Sequence, residues 1–186
     1  MERETARQLF HMIVGVIAMV MLYWFGRGIS VVIVFGITVL GLWAMNARLL
    51  KSKSPFILII EFFEKKFERT NAPLPGWGSA CYSTGVLIVM TVLSDITEIS
   101  AVIFILAVGD SLSTIVGQKG RIKLPYNGKK TLEGSLVFFL SSLPVYFFLG
   151  PIGIIVVIIC TIVETLPLLD DNLTIPMVAT AALVVF

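Results

Sequence analysis

The residues best suited to chemistry lie between Gly109 and Ser135, in GDSLSTIVGQKGRIKLPYNGKKTLEGS. This stretch opens inside an apolar run with a single acid, Asp110. Asp110, Ser113, Thr114 and Gly117 recur at helical spacing, so the acid shares one slender polar face near a helix end. An acid in such apolar surroundings needs a partner. The loop that follows supplies Gly117, Gly120 and Gly128, where backbone N–H groups can approach an anion. It also supplies Lys119, Lys123, Lys129 and Lys130, which neutralise phosphate charge. That combination suits a polyphosphate cradle. An ordinary basic loop at a membrane surface would explain the lysines but not the glycines beside an Asp. The loop is not of Walker A type, because Gly128-Lys129-Lys130-Thr131 has no glycine at the required earlier position.

A second polar group closes a later apolar run: Glu164, Pro167, Asp170-Asp171-Asn172, then Pro176. Carboxylates beside a polyphosphate most simply hold Mg²⁺, which takes one or two of them and completes its shell with phosphate oxygens and water. Asp110 would be joined by one or more of Glu164, Asp170 and Asp171. Asp170 and Asp171 are equally suited to capping the helix that follows, and Asn172 to a turn. Near the N-terminus Glu4, Arg7 and His11 fall on one helix face. Arg7 could bind phosphate, Glu4 could orient it, and His11 could hydrogen-bond a ligand or simply pack. Glu133, at the start of a helix, suits a catalytic, lysine-orienting or capping role.

The elements that must position these residues are membrane helices. Of 186 residues, 57% are hydrophobic and only 14% charged, a bias that no water-soluble core can hide. Apolar runs at 9–25, 29–46, 78–93, 99–117, 132–149, 151–165 and 174–186 predict an all-α, polytopic transmembrane bundle of about seven spans, forming one catalytic domain over 1–186. The mixed-charge start, Met1 to Gln8, does not read as a cleaved leader, so the first span is expected to stay. Pro55 to Arg69, PFILIIEFFEKKFER, predicts one interfacial amphipathic helix within an interfacial stretch at about 53–77: Phe56, Ile59, Ile60, Phe63 and Phe67 face lipid, while Lys65, Lys66 and Arg69 face water. Cys81 and Cys160 suggest neither a disulfide framework nor a metal site.

With a cytoplasmic N-terminus, every Lys and Arg except Arg27 falls inside, as the positive-inside rule expects. The ionisable residues of the spans gather toward that face, whereas a transport path would continue them across the midplane. No internal repeat supports a transporter of duplicated halves.

Taken in order, four motifs resemble the CTP-dependent polyprenol kinase family, which includes dolichol kinase, phytol kinase and the yeast-type CTP-dependent diacylglycerol kinase. They are Glu4-x-x-Arg7-x-x-x-His11; Gly109-Asp110 with Gly117-x-x-Gly120; Gly128-Lys129-Lys130-Thr131-x-Glu133-Gly134-Ser135; and Glu164 with Asp171-Asn172 and Pro176. The resemblance implies a helical membrane enzyme that uses CTP and a divalent metal to phosphorylate the hydroxyl of a long-chain lipid alcohol of dolichol, phytol or geranylgeraniol type, or of a diacylglycerol-like lipid. CTP rather than ATP comes from the resemblance alone.

On this reading Asp110, Lys130 and Glu133 are catalytic. Arg7, Gly117, Lys119, Gly120, Lys129, Lys130, Thr131 and Asn172 bind the nucleotide. Asp110, Glu164 and Asp171 hold Mg²⁺, and Glu4, His11 and Asp170 support them. Asp110 could instead be the base that takes the hydroxyl proton. The expected partners are CTP, the lipid alcohol and the bilayer, without nucleic acid, and a homo-oligomer is left open. Two alternatives are a CTP:lipid cytidylyltransferase, whose acidic signature is replaced here by ETLPLLDDN, and a non-enzymatic membrane transporter or subunit.

Overall fold

The computed structural model describes residues 2–50, 74 and 76–186, so the expected interfacial helix and most of its loop lie outside the described residues. Among the described residues, six helices carry the fold. Helix α1 is Glu2–Leu49, α2 Trp77–Val92, α3 Ile96–Gly117, α4 Leu132–Leu149, α5 Pro151–Thr165 and α6 Asp171–Val185. Three of these described helices, α1, α3 and α4, are long and apolar enough to cross a membrane by length and composition, and the other three are shorter apolar helices.

The seven apolar runs therefore fall in six helices, because 9–25 and 29–46 share α1. That helix is broken at Gly26, whose φ of 73° and ψ of 171° belong to no helix. Glycine tolerates this conformation because it has no Cβ to clash with the backbone. The exterior is strongly apolar: Phe147 is 88% and Trp24 80% exposed, a pattern fit for lipid and not for water.

Helix α3 lies at the centre. It starts on Asp95, whose carboxylate accepts the amides of Thr97 and Glu98 at 2.5 and 3.3 Å. Its residues Ile99, Ala101, Val102, Ile103, Ile105 and Leu106 share one buried cluster with Leu22, Val89, Met90, Phe138, Val156 and Ile175 from the surrounding helices. Its Ile105–Asp110 turn is wound as a π-helix. Such a wide turn rotates the residues beyond it relative to an unbroken helix, and here it ends on Asp110.

Between α3 and α4 the chain is not helical throughout. Strands β1 (Lys123–Leu124) and β2 (Asn127–Thr131) form an antiparallel hairpin in register Lys123 with Thr131 and Leu124 with Asn127. This hairpin is a departure from the all-helical expectation.

Candidate active site

The hairpin delivers its last residue directly into α4. Thr131, extended at φ −127° and ψ 151°, caps that helix by accepting the Gly134 amide at 3.2 Å, and donates to the Gly117 carbonyl at 3.3 Å. Glu133 turns back to accept the amides of Arg121 and Ile122 at 2.8 and 3.2 Å. The glycine-bearing loop is thus stapled at both ends by the helix it precedes. Close approach of α3 and α4 requires glycine here, since a Cβ on Gly134 would lie 3.0 Å from the Ser113 carbonyl and 3.1 Å from Gly117 Cα. Asn127 ties the other end of β2 to α5 by donating to the Thr165 carbonyl at 3.0 Å.

Held in this way, Lys130 reaches between two helices. Its Nζ lies 2.5 Å from Glu164 Oε1 on α5 and 2.8 Å from Asp171 Oδ2 on α6. Glu164 is 2% exposed, and its second oxygen accepts the Ser135 hydroxyl at 2.9 Å. Burial opposes the charge on Lys130, but the carboxylates of Asp171, Asp110 and Glu164 outweigh it and hold the pKa above the ordinary lysine value. The side chain is therefore a fixed ammonium. Asp170 caps α6 by accepting the backbone amide and the side-chain amide of Asn172 at 3.2 and 2.8 Å.

Above this group opens a cleft of about 690 Å³. One wall holds Gly128, Lys129, Lys130 and Thr131 from the hairpin, another holds Ser113, Thr114 and Gly117 from α3, and the third runs from Leu166 to Asp171. Gly117, Lys129, Lys130, Thr131, Glu164, Asp170 and Asp171 all line this cleft. Lys119, Gly120 and Glu133 are not part of the lining, and Glu133 accepts the loop amides of Arg121 and Ile122. Asn172 is buried beside Asp171, outside the lining.

Asp110, 3% exposed, lies within electrostatic reach of Asp171, Lys130, Arg7 and Glu164. Arg7, 1% exposed, comes from the start of α1 and pairs with Glu4. His11 lies against Tyr82: its ring is 4.7 Å from that of Tyr82, whose hydroxyl donates to the His11 backbone carbonyl at 3.0 Å.

Glu164 and Asp171 already converge on one cationic atom, so their chemistry suits a hard cation arriving with phosphates. Among the described residues no three Asp, Glu, His or Cys side chains converge at ligand spacing. Mg²⁺ is served by one or two carboxylates when phosphate oxygens and water complete its shell, so the donors present fit it.

Sequence reasoning named Ser135 only as the end of the third motif, without a role, and missed Asn127 and Gln8 as parts of this assembly. Ser135 was within reach, standing in the first turn of α4 beside Glu133 and Gly134. Asn127 and Gln8 carry no local signal, because their partners are 38 residues away in the first case and a neighbouring helix in the second.

No protein-family model matches the chain, and no solved structure matches it. Over 99 residues it is 33% identical to probable phytol kinase 1, chloroplastic, of Glycine max, a similarity that takes in 42% of this chain and 32% of that protein. It is also 33% identical over 180 residues to uncharacterized protein MJ1137 of Methanocaldococcus jannaschii, covering 95% of this chain and 90% of its relative. At that identity and coverage, the chain belongs to the same protein family as the Methanocaldococcus jannaschii protein.

Proposed function

We propose that this protein is a membrane lipid kinase that transfers the γ-phosphate of CTP to the hydroxyl of a long-chain isoprenoid alcohol or a diacylglycerol-like lipid. The observation that carries this reading is Lys130, held as an ammonium by Glu164 and Asp171 at the floor of a cleft walled by a glycine- and lysine-bearing hairpin. The partial similarity to a phytol kinase supports the same class, and the choice of CTP rests on the motif resemblance. On this reading the two arms of α1 on either side of Gly26, each long enough to cross about 30 Å of hydrocarbon, count as separate crossings, and with the five other helices, three of them short, they give seven, with the cleft on the cytoplasmic face.

In the reaction the alcohol oxygen attacks the γ-phosphorus in line, the bond to the β-phosphate oxygen breaks, and CDP leaves. The acceptor proton passes to Asp110. Lys129, Lys130 and the hairpin amides hold the phosphates, so the chain contributes positioning and charge neutralisation. Mg²⁺ would be held by Glu164 and Asp171, where it supplies further neutralisation of phosphate charge.

The test is a label-transfer assay on purified protein with Mg²⁺ and mixed lipid acceptors. Label passing to lipid from γ-labelled CTP but not γ-labelled ATP is the expected result. Label from α-labelled CTP alone would make the protein a cytidylyltransferase, and no transfer from any nucleotide would return it to the transporters and subunits.

A further inference from the structure

Beneath the cleft lies a second polar group that the nucleotide does not need. Gln8, fully buried, donates its side-chain N–H to Glu4 at 3.4 Å, as the Arg7 guanidinium also does. The Gln8 carbonyl accepts the Ser111 hydroxyl at 3.1 Å, which presses this turn of α1 against the residue after Asp110. On Asp110 and on residues of the segments that meet it, four polar atoms sealed from solvent have no hydrogen-bond partner: Arg7 Nη1, Gln8 Oε1, Asp110 Oδ1 and Asn172 Oδ1. The amides of Gln8 and Asn172 are oriented by their NH₂ groups, which donate to Glu4 and Asp170, so their oxygens remain as buried acceptors.

Buried polar atoms are nearly always hydrogen-bonded, and four together mark a place built for a ligand. The mixture says which kind. A phosphate brings oxygens that three acceptors would repel, and a metal ion would face the Arg7 guanidinium. A hydroxyl both donates and accepts, and so satisfies an acid and an arginine at once.

We infer that Arg7, Gln8 and Asp110, none of which lines the cleft, form the binding site for the acceptor hydroxyl and present it to the triphosphate held there. This rests on the lipid kinase reading for its substrate class, and gives Arg7 to the acceptor instead of the nucleotide.

The experiment uses detergent-solubilised full-length protein and a photo-crosslinking phytol analogue, with labelling competed by phytol or by its methyl ether, which lacks the donated proton. Phytol is expected to compete at about tenfold lower concentration than the ether, the gap expected of a hydrogen bond to a charged group. Gln8→Met and Asp110→Leu, which remove the acceptors at nearly constant volume, are expected to close most of that gap. Equal competition by phytol and ether on the wild-type protein overturns the inference, whether or not the variants fold, and so does a gap that persists in both variants. Kinase assays on the same preparation separate the two readings. A gap without phosphorylation keeps the hydroxyl site and removes the kinase, whereas phosphorylation without a gap keeps the kinase and removes the site.

Discussion

Two arginines, about 30 Å apart along α1, show how differently the two ends of the bundle use the same side chain. Arg27, just past the break at Gly26, donates to the Met90 and Thr91 carbonyls at 2.8 Å each and so finishes the last turn of α2. Arg7 pairs with Glu4, keeps Nη1 unpartnered and faces Asp110 across the end of α3. The first arrangement is closed: its donors meet backbone groups that would otherwise lack partners. The second is open, and an open polar group in a buried place is retained for something that arrives.

The contrast is tested most severely at the open end. Asp110→Asn is expected to lower the rate of phosphoryl transfer by about a thousandfold while moving the thermal midpoint by only a few degrees. Label transfer and a melting curve on the same sample check this. A protein that melted early would make Asp110 a structural acid.

Lys130→Met comes next, and is expected to damage both function and fold. It leaves Glu164 buried without its cation, which costs about 3 kcal/mol, and lowers activity about a hundredfold. Adding Glu164→Gln should restore much of the stability and none of the activity. A double-mutant cycle in chemical denaturation measures the coupling.

Gly134→Ala forces a methyl group between α3 and α4 and is expected to cost about 2 kcal/mol, with activity falling about tenfold as the hairpin shifts. At the closed end, Arg27→Ala should cost about 1 to 2 kcal/mol through two lost hydrogen bonds and leave the specific activity of the folded fraction unchanged. A loss of activity there beyond the unfolded fraction would erase the distinction between the two ends.

The helices were legible because their signal is local: each apolar run lies in a helix, and Gly109 to Ser135 falls on the cleft and its supports. Gly26 carried no sign that it breaks a helix without ending it, since glycine is common in apolar runs. The hairpin escaped notice because strands of two and five residues are too short to show alternation. The π-turn before Asp110 leaves no periodicity to read. Glu133 was read as catalytic, capping or lysine-orienting, and its acceptance of the Arg121 and Ile122 amides makes it an anchor for the loop. The grouping of Arg7 with Asp110 is a tertiary fact, because helical spacing fixes a face but not what that face meets.

The seat of Lys130 also sets an order of events during synthesis. Its carboxylate partners stand 34 and 41 residues further along the chain, and Gln8 waits 103 residues for Ser111. The nascent chain thus completes most of its apolar helices before the charges at the floor of the cleft can neutralise one another. Until α6 emerges, Lys130 lacks Asp171, so the polar centre is the last part of the molecule to close.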